Sequence, residues 1–316
     1  MRRWKILVTA PRAQSVLGRY IHELGQARCD VVARFPNERF KETELLTLVE
    51  DIDGIICGDD QITSRVMDQA PRLKAISKWG TGIDAIDLEA AGKHGITVCN
   101  SPDAFSDSVA DTVFGYILLF TRQICKMNND MHAGHWKRLP LRALFECSLG
   151  IIGLGNIGCA VAARGAAFGM RMMAYSINGP SDATIERLGV ELVSLDTLLA
   201  QSDFITIHAN LLKDNRHLIN MKRLKQMKPT SVLINTARGA LIDETALIAA
   251  LSDGLIAGAA LDVFEIEPLP ASSPLRNFPN VYLAPHNANA SILAADRVHT
   301  NSIRNLINAL EAGCKP

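Results

Sequence analysis

The chain has 316 residues, 48% of them hydrophobic and 21% charged, with Lys+Arg and Asp+Glu both at 33. That length exceeds what one hydrophobic core usually serves and predicts two domains, each with a core of its own. The composition excludes a disordered chain and the charge balance excludes a strongly basic nucleic-acid surface, so the expected partners are small molecules and further copies of the chain.

Short apolar runs rich in β-formers alternate with helical stretches, the pattern of parallel sheets flanked by helices. A first series of strands is expected at Lys5–Ala10, Val31–Ala33, Gly54–Cys57, Leu73–Ser77 and Ile96–Val98, with helices over Lys41–Glu50 and Thr63–Gln69. Ser101-Pro102 then leads into a long buried helix, Asp107–Gln123, and places a domain boundary near residue 100. A second series follows at Ser148–Gly153, Met170–Tyr175, Glu191–Val193, Asp203–His208, Ser231–Asn235, Ile256–Leu261 and Val281–Ala284. The fold class is therefore α/β with two doubly wound sheets. A last helical stretch, Ala290–Ala312, is expected to pack back on the first domain. Function is expected in the cleft between the domains.

The basic start, Met1–Lys5, runs into Ile6-Leu7-Val8 and not into the apolar core of a signal peptide. The longest apolar stretch, Val113–Phe120, falls far short of the roughly 20 residues that cross a bilayer. Seven cysteines are scattered without CxxC pairs, which fits reduced thiols in a cytosolic protein. No metal site and no membrane association are expected.

Three places carry chemistry. In the first, an apolar strand runs through Gly153-Leu154-Gly155-Asn156-Ile157-Gly158 into the helical Cys159–Phe168. Gly153 permits the tight turn, Gly155 lets backbone approach a pyrophosphate, Gly158 lets helix and strand pack closely, and the helix N-terminus at Asn156 and Ile157 offers N–H groups to the anion. An NAD site normally places an acid about 20 residues further on, at the end of the next strand, against the ribose 2′-hydroxyl. Ser176 stands there, followed by Ile177-Asn178-Gly179 without an arginine, so the choice between NAD and NADP stays open.

In the second, Asn235-Thr236-Ala237-Arg238-Gly239 puts Arg238 at the carboxyl end of a strand, where open α/β sheets bind ligands. A guanidinium there suits a carboxylate, because its fork donates two parallel hydrogen bonds. In the third, Asp262 ends one strand, Glu267 follows it, and His286 follows the next. Glu267 and His286 make a candidate proton-transfer pair, since a carboxylate sustains the imidazolium near neutral pH.

Together with Lys78-Trp79-Gly80-Thr81-Gly82-Ile83-Asp84, Ala260–Phe264 and Pro285-His286, these segments resemble, over nearly the whole chain, the D-isomer-specific 2-hydroxy-acid dehydrogenases. That family includes phosphoglycerate dehydrogenase, glycerate dehydrogenases and glyoxylate/hydroxypyruvate reductases. The resemblance implies hydride transfer between NAD(P) and C2 of a small D-2-hydroxy acid. It implies Arg238, Glu267 and His286 as the catalytic set, with Glu265 a bystander. It implies Asp262 on the nicotinamide side of the cofactor, Thr236, Ala237 and His208 lining the cofactor site, and Trp79, Gly80, Thr81 and Gly82 with Arg238 at the substrate carboxylate. It also implies a homodimer, and a substrate domain of residues 1–100 and 290–316 split by an inserted dinucleotide-binding domain, 101–289.

The sequence departs from the family pattern at Ser176, at His208-Ala209-Asn210-Leu211-Leu212, which lacks the usual proline and threonine, and at Cys57. Phosphoglycerate dehydrogenases carry an arginine for the substrate phosphate where Cys57 stands, and here Asp59 and Asp60 follow it. The expectation is an unphosphorylated substrate, unless Lys78 or Arg142 replaces that arginine and restores phosphoglycerate dehydrogenase. A formate dehydrogenase would carry glutamine in place of Glu267. The reading from another class is an NAD(H)-sensing corepressor-like binding protein, which keeps the same three residues without depending on turnover.

Overall fold

The computed structural model describes residues 3–312. The chain divides into two compact units: the residues up to Ala104 with those from Ser291 on, and Phe105–Ala290.

In the first unit the strands are β1 (Trp4–Val8), β2 (Cys29–Ala33), β3 (Gly54–Cys57), β4 (Ala75–Lys78) and β5 (Thr97–Cys99). They form one parallel sheet in the order β2-β1-β3-β4-β5. β3 and β4 are buried along their whole length; β3 accordingly reads as a continuous apolar run, while β4 ends in the buried polar pair Ser77 and Lys78. Ile55, Ile76, Leu45, Val49 and Val66 share one core cluster. The helix Ile292–Ala312 lies against β3, β4 and β5 and buries Val298, Ile303, Leu306 and Leu310. Gly54 permits its approach, since a Cβ there would stand 3.0 Å from Leu306 Cδ1.

The helix expected over Lys41–Glu50 is regular only over Glu42–Leu45. Beyond it, Thr47 N donates to Glu44 O and Leu48 N to Leu45 O, the tighter pattern of i to i+3 bonds that seats Leu45 and Val49 in the core. The helix Leu17–Gln26 is missing from the sequence expectation. It buries Leu24 alone, yet Leu17, Tyr20, Ile21 and Leu24 stand at i, i+3, i+4 and i+7, so an amphipathic helical stripe is present in the sequence there.

In the second unit the strands are β6 (Ser148–Ile152), β7 (Arg171–Tyr175), β8 (Val190–Leu192), β9 (Phe204–Ile207), β10 (Val232–Asn235), β11 (Gly258–Leu261) and β12 (Val281–Leu283). The sheet is again parallel, in the order β12-β11-β10-β9-β6-β7-β8. The chain winds outward from β6 to β8, returns to β9 on the other side of β6, and winds out to β12. That reversal opens a crevice at the carboxyl ends of β6 and β9, where such sheets bind ligands. The long helix, Ser106–Arg122, buries Val109, Val113, Phe114 and Ile117 and packs on the helix Asn156–Ala167.

At the opposite, amino-terminal edge of this sheet, Asp203 accepts from Ser148 N, Ser148 Oγ, Arg142 Nη2 and Lys228 Nζ. Burial alone would raise its carboxyl, but these donors outweigh burial and hold it at about 2. Among the described residues no helix is long and apolar enough to cross a membrane, and the six described cysteines are free. Cys314 lies outside the described residues.

Candidate active site

The glycine-rich turn follows β6. Gly153 has φ +94°, and a Cβ on it would lie 2.7 Å from Ala209 N. A Cβ on Gly158 would lie 2.2 Å from Gly153 O, so this glycine is demanded by the contact between helix and turn. Gly155 differs, because a Cβ there would meet nothing within 4 Å and its φ is an ordinary −84°. Nothing in the chain requires Gly155, which leaves room for an external group against its backbone. It is the N-cap of the helix Asn156–Ala167 and supplies no side-chain cap, leaving the first N–H groups for an anion.

Two buried polar atoms support the same conclusion. His208, after β9, pairs its Nε2 with Thr206 Oγ1 at 2.9 Å, while its buried Nδ1 has no partner. Burial pushes this imidazole down to about 3, so it is neutral. Thr236 Oγ1, after β10, is buried and likewise without a partner. Orphaned polar atoms are costly unless something binds them, and a dinucleotide offers amide and hydroxyl groups. Ser176 is not an idle loop serine: its Oγ accepts from Leu154 N at 3.2 Å, tying the end of β7 to the glycine turn. Beside it Ile177 is 81% exposed.

Asn235 shapes the next segment, accepting from Ala237 N and donating to Arg238 O. Arg238 is half-buried and donates from Nη1 to Ala237 O. Gly239 is where the segment meets its neighbour, since a Cβ there would stand 1.9 Å from Phe264 C. The arginine loop and the glutamate loop are thus pressed together. Within the glutamate loop Glu267 Oε1 accepts from Phe264 N at 3.0 Å, and Oε2 takes His286 Nδ1 at 3.0 Å.

Asp262 is buried and spends both carboxylate oxygens on the histidine loop, Oδ1 accepting from Asn287 N and Oδ2 from Ala288 N, both at 2.8 Å. His286 N donates to Asp262 O, and His286 takes a left-handed φ of +48°. The sequence points to the aspartate by its place at a strand end; that it builds the loop holding the histidine shows only in three dimensions. Glu265 has a structural place. It pairs with Arg216 and exchanges backbone-to-carboxylate hydrogen bonds with Glu244, anchoring the segment that carries Glu267.

The geometry fixes the sign of one substitution. Glu267→Gln keeps the shape but removes the anion that favours the imidazolium. Reduction by this variant is expected to fall off at lower pH than in the wild type, narrowing the active range from its alkaline side. Matching pH profiles of kcat for the two proteins would contradict the pairing.

In the first unit, Gly80 has φ +123° and its O accepts from Ser101 N. Thr81 Oγ1 donates to Ser101 O, and Thr81 O accepts from Asn100 Nδ2. These bonds fix the turn that runs on to Gly82. Trp79 is buried and donates its indole N–H to His299 Nδ1 at 2.9 Å.

Asp59 and Asp60 separate. Asp60 is buried and accepts from Thr9 Oγ1, Phe40 N and Gly58 N, so it does not face solvent. Asp59 Oδ1 takes the buried Lys78 Nζ at 3.1 Å. Arg142, the other candidate cation, is bound to Asp203 and Glu146 O at the amino-terminal edge of the second sheet. That edge is opposite the one that carries Arg238 and His286. Burial pushes the Cys57 thiol up to about 12, so it is neutral. Among the described residues no group of three or more His, Cys, Asp or Glu is arranged to hold a metal ion.

A family model described as the D-isomer specific 2-hydroxyacid dehydrogenase, NAD binding domain, matches residues 114–288. A glyoxylate reductase of Thermofilum pendens is 42% identical over 300 residues, covering 91% of this chain and 87% of its own length. A D-3-phosphoglycerate dehydrogenase of Methanocaldococcus jannaschii is 39% identical over 286 residues, 89% of this chain but 53% of that protein. Among solved structures, the D-lactate dehydrogenase of Aquifex aeolicus complexed with NAD and lactic acid superposes with a TM-score of 0.87 at 27% identity, covering 98% of this chain and 96% of its own.

Proposed function

Because this chain belongs to the D-isomer-specific 2-hydroxyacid dehydrogenases, we propose that it reduces a small unphosphorylated 2-oxo acid, glyoxylate or hydroxypyruvate foremost, with Arg238, Glu267 and His286 carrying the chemistry. The cofactor is NAD(P), which when bound supplies the hydride to substrate C2. Gly153, Gly155 and Gly158 with the helix start at Asn156 and Ile157 would hold its pyrophosphate, Ser176 would lie toward the ribose, and His208, Thr236, Ala237 and Asp262 would line the rest. Ser176 carries no charge to repel a 2′-phosphate, and its Oγ is already engaged by Leu154 N, which supports use of both NADH and NADPH.

Arg238 would grip the substrate carboxylate and keto oxygen, stabilising charge as it grows on that oxygen. The observation that carries the assignment is the 3.0 Å contact between His286 Nδ1 and Glu267 Oε2. With Nδ1 committed to the glutamate, the proton given to the new hydroxyl comes from Nε2, and in oxidation the same atom takes it back. The backbone of Trp79–Gly82 is proposed to receive the substrate carboxylate, and the residues up to Ala104 with the C-terminal helix are accordingly proposed as the substrate domain. The same reading makes the protein a cytosolic homodimer. Free cysteines support the compartment. Ile124, Met131, Trp136 and Phe145, large apolar side chains exposed on the second unit, support a partner surface.

Charge argues against a phosphate. Lys78 is already matched by Asp59, Arg142 is tied down elsewhere, and Cys57 offers no cation. Each lost hydrogen bond to a charged group is worth about 1.5–3 kcal/mol. Oxidation of NADH and NADPH followed at 340 nm with a panel of 2-oxo acids is expected to show turnover of glyoxylate and hydroxypyruvate. In competition, hydroxypyruvate is expected to be favoured over its phosphate ester by at least about tenfold. A tenfold preference for the ester would reinstate phosphoglycerate dehydrogenase. Cofactor binding without turnover of any acid would move the chain to the sensor class.

A further inference from the structure

The C-terminal helix places His299, Ser302 and Asn305 at i, i+3 and i+6, on one face. His299 and Ser302 reach the end of β4 and the residue after it, and Asn305 reaches Asn100 just beyond β5. His299 Nδ1 accepts the Trp79 indole N–H at 2.9 Å. Ser302 O accepts from Ser77 Oγ at 2.8 Å, and Ser302 Oγ donates to Lys78 O. Asn305 Nδ2 donates to Asn100 O at 2.9 Å, and Asn100 in turn donates to Thr81 O. A polar stripe inside an otherwise apolar interface thus supports the strand end and turn that present Trp79–Gly82, directly through His299 and Ser302 and by way of Asn100 through Asn305.

Ser302 and Asn305 do not titrate, whereas His299 carries an ionisable ring. It is buried, with the Tyr20 ring centroid 5.9 Å from its own. The charged groups near it are Asp296 on its own helix and Arg19 on the helix Leu17–Gln26, which pair with each other at 3.7 Å. Arg12 lies over the Trp79 ring at 5.8 Å from its centroid. Burial holds the imidazole below its ordinary range, with Asp296 opposing and Arg19 assisting. The neutral ring with its proton on Nε2 leaves Nδ1 free to accept; the imidazolium has no acceptor.

We propose that His299 is a positioning residue for substrate binding: by accepting the Trp79 indole N–H it holds the Trp79–Gly82 turn in its carboxylate-receiving shape, and protonation of His299 releases that turn. This rests on the reading that Trp79–Gly82 receives the substrate carboxylate. It gives the enzyme an acid-side loss of substrate affinity that is separate from the proton transfer at His286. Since only binding geometry changes, KM moves and kcat does not follow it.

The test compares the wild type with His299→Gln, whose amide oxygen accepts without titrating, and His299→Phe, which keeps a ring but no acceptor. KM and kcat are measured for the 2-oxo acid the panel selects, with NADH saturating, from about pH 8 to about pH 4, which takes in an ordinary histidine and the range below it. Trp79 emission is recorded in a Trp4→Phe, Trp136→Phe background with His299 intact or changed to Phe.

Wild-type KM is expected to rise about tenfold on acidification, the worth of one hydrogen bond, with Trp79 emission changing over the same interval. His299→Gln keeps a low, flat KM. His299→Phe has the raised KM at every pH, kcat within about twofold of the wild type, and emission that no longer titrates.

A titrating KM in His299→Gln, or a normal KM in His299→Phe, overturns the proposal. KM that moves without the emission overturns the part given to His299 while the carboxylate turn stands. Emission that titrates while KM stays flat in all three proteins overturns the placement of the carboxylate at Trp79–Gly82 and the proposal with it.

Discussion

His286→Ala and Arg238→Ala each lower kcat/KM for 2-oxo acid reduction by at least about a hundredfold, the scale of losing a general acid or an oxyanion donor. The two losses differ in kind. His286 sits in a loop fixed by Asp262 through the amides of Asn287 and Ala288, so removing the imidazole leaves the loop intact and takes only the proton donor from the transition state. The fall is then mainly in kcat. Arg238 is assigned to the substrate carboxylate as well as to the keto oxygen, so its loss raises KM and lowers kcat together. Steady-state kinetics at saturating NADH, with thermal unfolding as a check on folding, measures both. Near-normal kcat/KM in either variant sinks the assignment of that residue.

The division between what is legible in the sequence and what is not follows the range of the interactions. Twelve strands are readable because they are short β-rich runs bounded by turn residues, the inner ones apolar throughout or nearly so and β2, β5, β8 and β12 partly exposed, and each is found within a few residues of its expected place. The glycine turn is readable because strand, GxGxxG and helix adjoin in sequence. Arg238, Glu267 and His286 lie just beyond strand ends, where a carboxylate grip and a proton-transfer pair can be suggested from chemistry, and the resemblance singles out the three as one catalytic set.

What stays hidden depends on contacts between distant segments. Gly239 has no reason in the sequence, because the backbone of Phe264 that forbids its side chain belongs to the next loop. Asp59 and Asp60 are neighbours with the same charge, yet one neutralises Lys78 and the other is sealed under Thr9 and Phe40. Arg142 is a plausible phosphate ligand until Asp203 places it at the other edge of the sheet. Helical spacing marks His299, Ser302 and Asn305 as one face, but nothing local says that this face meets Trp79, 220 positions away.

The glycine turn allows the sharpest separation of what the fold requires from what the ligand requires. A methyl group on Gly158 would stand 2.2 Å from Gly153 O, a backbone atom held by the same tight turn. Gly158→Ala therefore forces helix and turn apart, and is expected to lose about 1–3 kcal/mol of stability, as overpacked sites do. A methyl group on Gly155 meets no atom of the described residues within 4 Å apart from its own chain neighbours, and φ there suits any residue. Gly155→Ala is expected to fold as stably as the wild type, while the methyl occupies the space through which the pyrophosphate approaches the helix N-terminus. Its KM for NADH is expected to rise by about a hundredfold, the loss of two hydrogen bonds to a charged group. Urea unfolding of the two variants beside NADH titration of Gly155→Ala decides it. A destabilised Gly155→Ala would show that the chain, not the cofactor, demands that glycine; a stable variant with ordinary NADH affinity would remove the pyrophosphate from this turn.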